Sequence, residues 1–163
     1  MEHTAPAWAV WLEHSALGTT ARESLWLFPV CGVLHLIGLG LLIGSILALD
    51  LRLIGLARRL DLAAAARQLL PTALIGFVTS ASTGLVMFAA DASHLVTNPA
   101  FLAKLAVIAA AATNAALFHH GAARAVIAGR ADRRAARHAR IAGALSIALW
   151  LCVVSLGRLI AYF

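Results

Sequence analysis

The stretch VCGVLHLIGLGLLIGSILAL, residues 30–49, decides how this chain is read. Apart from His35 and Ser45, every residue in it is apolar or glycine. Its length matches the ~20 residues a helix needs to cross a hydrocarbon layer. The composition agrees. Of 163 residues, 62% are hydrophobic and 12% charged, whereas a soluble domain is about 45–50% apolar with about 25% charged residues. Too few polar side chains remain to cover a globule in water. The chain is therefore expected to be an integral membrane protein.

Working outward, three more apolar segments give four spans, at residues 24–51, 69–90, 99–120 and 141–163, in one membrane domain covering 1–163. Short loops make neighbouring spans antiparallel, so the expected fold is all-α, a four-helix bundle. Pro71 is placed in the first turn of the second span. The first span is expected to run on as an amphipathic helix through RLIGLARR. Residues 6–18, PAWAVWLEHSALG, read as a short amphipathic helix in the membrane interface, opened by Pro6 and closed by Gly18. Trp8 and Trp11 suit that depth. Gly38, Gly76, Ser80 and Gly84 mark close helix approach, or room for a flat cofactor.

Ten of the 13 basic residues fall in two segments. Arg52, Arg58, Arg59 and Arg67 follow the first span; Arg124, Arg130, Arg133, Arg134, Arg137 and Arg140 follow the third. This is the positive-inside pattern of cytoplasmic loops, which puts both termini outside. The basic clusters call for anionic lipid headgroups as partners and not for nucleic acid. The N-terminal segment lacks the charge-then-apolar order of a signal peptide. Cys31 and Cys152 form no CxxC pair and read as small buried apolar residues.

His35 is the anomaly. At ~1.5 Å per residue it lies ~18 Å below Glu23, near the midplane, where an unpartnered polar group costs several kcal/mol. Thr79, Ser80, Thr83, Thr113, Asn114 and Cys152 fall at similar depth, with Asn114 the first candidate for a direct hydrogen bond. Three uses stay open: a neutral core histidine, a ligand to a cofactor or metal, and proton transfer. His119 and His120 lie ~30 Å from the start of the third span. His35 and His119 therefore pair across one iron only if the third span is displaced outward. His138 shares the depth of His119 and His120. His94 lies near Asp91, and His3 and His14 in the N-terminal segment.

Charges also gather near the termini. Arg158, Lys104, Glu23 and Asp91 come from all four spans and share one layer. A Glu23–Arg158 pair would clamp the first span to the last; alternatively Arg158 and Lys104 would hold the propionates of a haem. Asp50 is expected to meet an arginine of the third–fourth loop.

Three segments carry a family likeness: FPVCGVLHLIGLGLLIGSILALDLRLIGL, NPAFLAKLAVIAAAATNAALFHH and GRLIAYF. They resemble a family of small four-span bacterial inner-membrane proteins without assigned function. That family shares the span-one histidine, a DLRL helix end, an NPxFxxK start to span three and a GRxIAYF ending. A looser likeness, at the level of fold, is to b561-type membrane cytochromes and D-type copper-resistance membrane proteins. No nucleophile constellation or phosphate loop is present, so any chemistry has to come from a cofactor. The expected function is a small inner-membrane redox protein. It would bind haem b, or else copper, through His35 with His119, His120, Lys104, Asn114 and Arg158 as further site residues, and exchange electrons with a quinone or a partner protein. The alternative is a non-enzymatic membrane subunit, carrier or channel. Both admit a homo-oligomer or a place in a larger complex.

Overall fold

The computed structural model describes residues 5–56, 59 and 61–163, apart from the side chain of Arg124. His3 and Arg58 lie outside the described residues. The elements are helices α1 (Ala7–Glu13), α2 (Ala16–Glu23), α3 (Leu27–Ile54), α4 (Leu62–Ala90), α5 (Ala92–Leu95), α6 (Pro99–His120), α7 (Ala123–Ile127) and α8 (Arg133–Leu159), closed by a 3-10 turn at Ile160–Tyr162. Four of them, α3, α4, α6 and α8, are long and apolar enough to cross a membrane. The fold is the expected all-α bundle, and the chain is a multi-pass membrane protein. One end, the termini end, carries α1, α2, α5 and the C-terminus. The other, the arginine end, carries α7 and the start of α8.

α4, α6 and α8 begin where side chains cap them. Asp61 accepts from the Ala63 N–H and starts α4; Asp132 accepts from Ala135 and starts α8. Both helices therefore begin about two turns before the apolar runs do, and Pro71 sits inside α4 instead of in its first turn. A proline there removes one backbone donor and no more than one helical bond. Asn98 accepts from Ala100 and Phe101 and opens α6, with Pro99 in the first turn. α3 stops at Ile54 because Gly55 takes φ 94°, a left-handed conformation that favours glycine. The run-on through RLIGLARR is thus interrupted at Gly55.

The N-terminal segment departs from expectation. It is two helices, split at Ser15, whose hydroxyl donates to the Leu12 carbonyl and whose oxygen caps α2 at Gly18. A serine that finds local backbone partners competes with helix continuation. Gly18 is not a terminator but a contact: a Cβ there would lie 2.7 Å from the Ala89 carbonyl. The pair docks on α4 and α5, with Ala9 and Ala21 fully buried.

The core is made of small residues, and the large apolar side chains face outward. This is the distribution for a lipid solvent, where close packing replaces the hydrophobic effect between helices. On α3 the buried row is Cys31, Gly38, Leu42, Ser45 and Leu49; on α4 it is Ala66, Ala73, Gly76, Ser80, Thr83 and Ala90. Both rows step by threes, fours and sevens, the rhythm of two helices lying along each other. They meet most tightly at Gly38 and Gly76, where a Cβ on Gly76 would be 2.6 Å from the Gly38 carbonyl. α3 also packs on α8, and α8 on α6, while α4 and α6 make no close backbone pairing. Stacked rings of Phe88 and Phe101, 5.5 Å apart, bridge α4 and α6 at the termini end.

Candidate functional site

His35 lies on the α3–α4 seam, one turn from Gly38. Its Nδ1 is 2.8 Å from the Ser80 carbonyl oxygen. A carbonyl has no hydrogen to give, so Nδ1 carries the proton and donates. The hydroxyls of Ser80 and Thr83 crowd the same nitrogen at 3.4 Å. Gly84 makes room for the ring: a Cβ there would sit 3.0 Å from His35 Cε1. In the neutral imidazole this bond leaves a lone pair on Nε2, and no hydrogen bond reaches Nε2 among the described residues.

Of the six polar residues expected at this depth, Ser80 and Thr83 meet the histidine. Asn114 does not. Its amide donates to the Ala142 carbonyl of α8 at 3.0 Å, so it fastens α6 to α8. Thr113 turns back to the Ala109 carbonyl. Cys152 is exposed and free; only Cys31 is buried as expected.

Lys104 comes from the first turns of α6. Its side chain runs over Gly157 of α8, with Nζ 3.7 Å from where a Cβ would be. It is half-buried. No hydrogen bond or ion pair holds its ammonium among the described residues. The described bundle thus carries, on the termini side of the midplane, one unshared imidazole lone pair and one unpaired cation.

The remaining expected residues stand apart. His119 is exposed at the end of α6; its Nδ1 faces the Ala115 carbonyl of its own helix at 3.2 Å, and its ring meets Phe118 edge-on. His120 is exposed too. Neither contacts His35, and among the described residues no group of three metal-ligating side chains forms. His138 lines a cavity of about 250 Å³ with Asn114 and Phe118, between α6 and α8 at the arginine end. Arg158 is exposed and turns along its own helix end, 3.1 Å from the Tyr162 hydroxyl and over its ring. The Glu23–Arg158 clamp does not form, because Tyr162, one turn on, offers the guanidinium both an acceptor and an aromatic face. His94 does meet Asp91, at 3.3 Å.

The ion pair at the termini end is Arg22–Glu13, 3.2 Å, with Arg22 also donating to the Ala90 carbonyl. Glu13 accepts from both the backbone N–H and the hydroxyl of Ser93 in α5. The Ser93 hydroxyl bond and then its backbone bond hold the Glu13 carboxyl below the ordinary range against the opposing effect of burial, with a lesser contribution from the Arg22 charge. Asn98, almost wholly buried, donates to the Ile160 carbonyl at 3.0 Å and ties α6 to the C-terminal turn. Sequence reasoning missed these three. Asn98 alone left a signal, as the capping residue before Pro99.

A sequence family, DUF6644, described as a family of unknown function, matches residues 8–163. The chain belongs to DUF6644. That match takes in all four long helices, the α1–α2 cap and the C-terminal turn of this DUF6644 chain. No curated protein and no solved structure matches it.

Proposed function

We propose that this DUF6644 chain is a small membrane redox protein that holds haem b, or else copper, on Nε2 of His35. The observation that carries the reading is the 2.8 Å bond from His35 Nδ1 to the Ser80 carbonyl. Histidines that bind metals commonly donate their second ring N–H in this way, which fixes the tautomer and aims the free nitrogen. Gly84 lets the ring lie against α4, which holds its orientation. Lys104 supplies an uncommitted cation for an acidic substituent such as a haem propionate. When bound, the group supplies one-electron chemistry. The protein orients the imidazole and excludes water with a small-residue seam. His119, Asn114 and Arg158 have other neighbours and His120 is exposed, so any further protein ligand would come from another copy of the chain.

In the same reading the chain sits in a bacterial inner membrane. Its arginine end is cytoplasmic among anionic headgroups and both termini are periplasmic, as the positive-inside pattern favours. A quinone or a redox protein is the partner.

The test is the absorption spectrum of protein purified in mild detergent from haem-replete, copper-replete cells, with metal analysis of the same sample. A Soret band that shifts on reduction with dithionite, is lost in His35→Ala and is kept in His119→Ala supports haem. A copper stoichiometry near one per chain that falls in His35→Ala supports copper. A colourless, metal-free preparation overturns the reading in favour of a non-enzymatic membrane subunit or carrier.

A further inference from the structure

At the other end of α3 lies a second buried ionisable group, unrelated to His35. Asp50 is 6% exposed. It faces α8, where Ser146 lies beside its carboxyl group. Gly143 of α8 packs against the Asp50 backbone, so tightly that a Cβ on Gly143 would lie 3.3 Å from the Asp50 carbonyl oxygen. The second carboxyl oxygen, Oδ2, is buried and has no hydrogen-bond partner among the described residues. Charged residues of the packed helices at this end include Arg67 of α4 and Arg137 and Arg140 of α8, with His138 beside them. All four are exposed, and none bonds to Asp50. The expected pairing of Asp50 with a loop arginine is therefore not made among the described residues. Ser146, one turn beyond Gly143, occupies the contact instead.

A carboxylate in this setting is disfavoured. Burying an ion without a counter-charge costs several kcal/mol after all relaxation, and taking up a proton removes most of that cost. We propose that Asp50 is a proton-binding site set into the α3–α8 contact. The ligand is a hydrogen ion, and the carboxyl group is neutral while α3 and α8 are packed. Losing the proton leaves a bare charge against Gly143 and Ser146, so proton release goes with a loosening of this contact. Asp50 lies one turn from the end of α3 at the arginine end, which makes that face the shorter route for the proton.

A lipophilic carbodiimide tests this directly. A protonated carboxyl group gives its hydrogen to one carbodiimide nitrogen while its oxygen bonds to the central carbon. The acyl group then migrates to nitrogen, giving an N-acylurea. One reagent molecule is added, nothing leaves and no electrons are transferred. The full chain in lipid nanodiscs at neutral pH should gain one adduct, mapped to Asp50 by peptide mass. Asp50→Asn should lose at least nine-tenths of it, and sodium or potassium ions should not protect. Because Asp50→Asn can fail to fold, the wild-type chain with isotope-labelled aspartate gives a second reading. Its infrared spectrum at mildly acidic pH should contain the carbonyl band of a protonated carboxylic acid, shifted by the label and fading as the pH is raised. Equal labelling of the exposed acids, protection by sodium ions (a metal-cation site instead), or no protonated band from aspartate at mildly acidic pH would each overturn the proposal.

Discussion

Adding one methyl group at Gly76 should force α3 and α4 apart. The new Cβ would lie 2.5 Å from the Leu42 nitrogen and 2.6 Å from the Gly38 oxygen. Carbon contacts become comfortable only near ~3.5 Å, so the helices have to separate by roughly 1 Å. Both obstacles are backbone atoms of a helix and cannot turn aside. The His35–Ser80 bond crosses the same seam one turn along α4, and such a shift takes it from 2.8 Å to the edge of bonding range. Overpacking costs ~1–3 kcal/mol, and the lost bond about 1 kcal/mol more. Gly44→Ala is the control. A Cβ there meets nothing within 4 Å, and alanine gains ~0.5–1 kcal/mol over glycine in a helix. The propensity gain is common to both substitutions, so they should differ by about 2–4 kcal/mol. The assay is reversible unfolding in mixed micelles with a titrated denaturing detergent, followed by near-ultraviolet circular dichroism. If Gly76→Ala and Gly44→Ala unfold at the same detergent fraction, close backbone approach is not what holds α3 to α4, and the reasoning fails.

Asn98→Ala removes the α6 cap and leaves the Ile160 carbonyl unpaired, so thermal unfolding should report a loss of about 2–3 kcal/mol. The Glu13 carboxyl is held below its ordinary range by Ser93 and Arg22. Its contribution is therefore complete above the unfolded value of about 4.3 and is lost as pH falls through the depressed folded value. Amide protection over residues 7–23, corrected for the intrinsic pH dependence of exchange, should fall in that acid window, and Glu13→Gln should show low protection at all pH values; protection that ignores pH would exclude a role for the Glu13–Ser93 contact. Arg158→Ala should change stability by less than about 0.5 kcal/mol, since its contacts are exposed and lie within its own helix end; a larger loss in the same unfolding assay would reveal a clamp.

The four spans were legible because lipid demands long apolar runs, and the runs at residues 24–51 and 99–120 mark α3 and α6 to within a few residues. The starts of α4 and α8 were not, because charged first turns read as loop although Asp61 and Asp132 stood there as caps. The His35 site was half legible. Depth arithmetic put Ser80 and Thr83 beside the ring, but favoured the Asn114 amide. The actual acceptor is a main-chain oxygen, which every residue has and no sequence marks. The Glu13–Ser93 contact joins positions 80 residues apart, and no periodicity connects them.

The helices are joined in the order α4, α3, α8, α6, and the Phe88–Phe101 rings bridge α6 back to α4 at one end. The closest of these contacts, at Gly38 and Gly76, lies between consecutive spans. A nascent chain can complete that hairpin in the bilayer before the ribosome has made α6. The α6–α8 hairpin then has to dock sideways on α3 through Gly143, and a bulky substitution there would weaken that docking while leaving each hairpin intact.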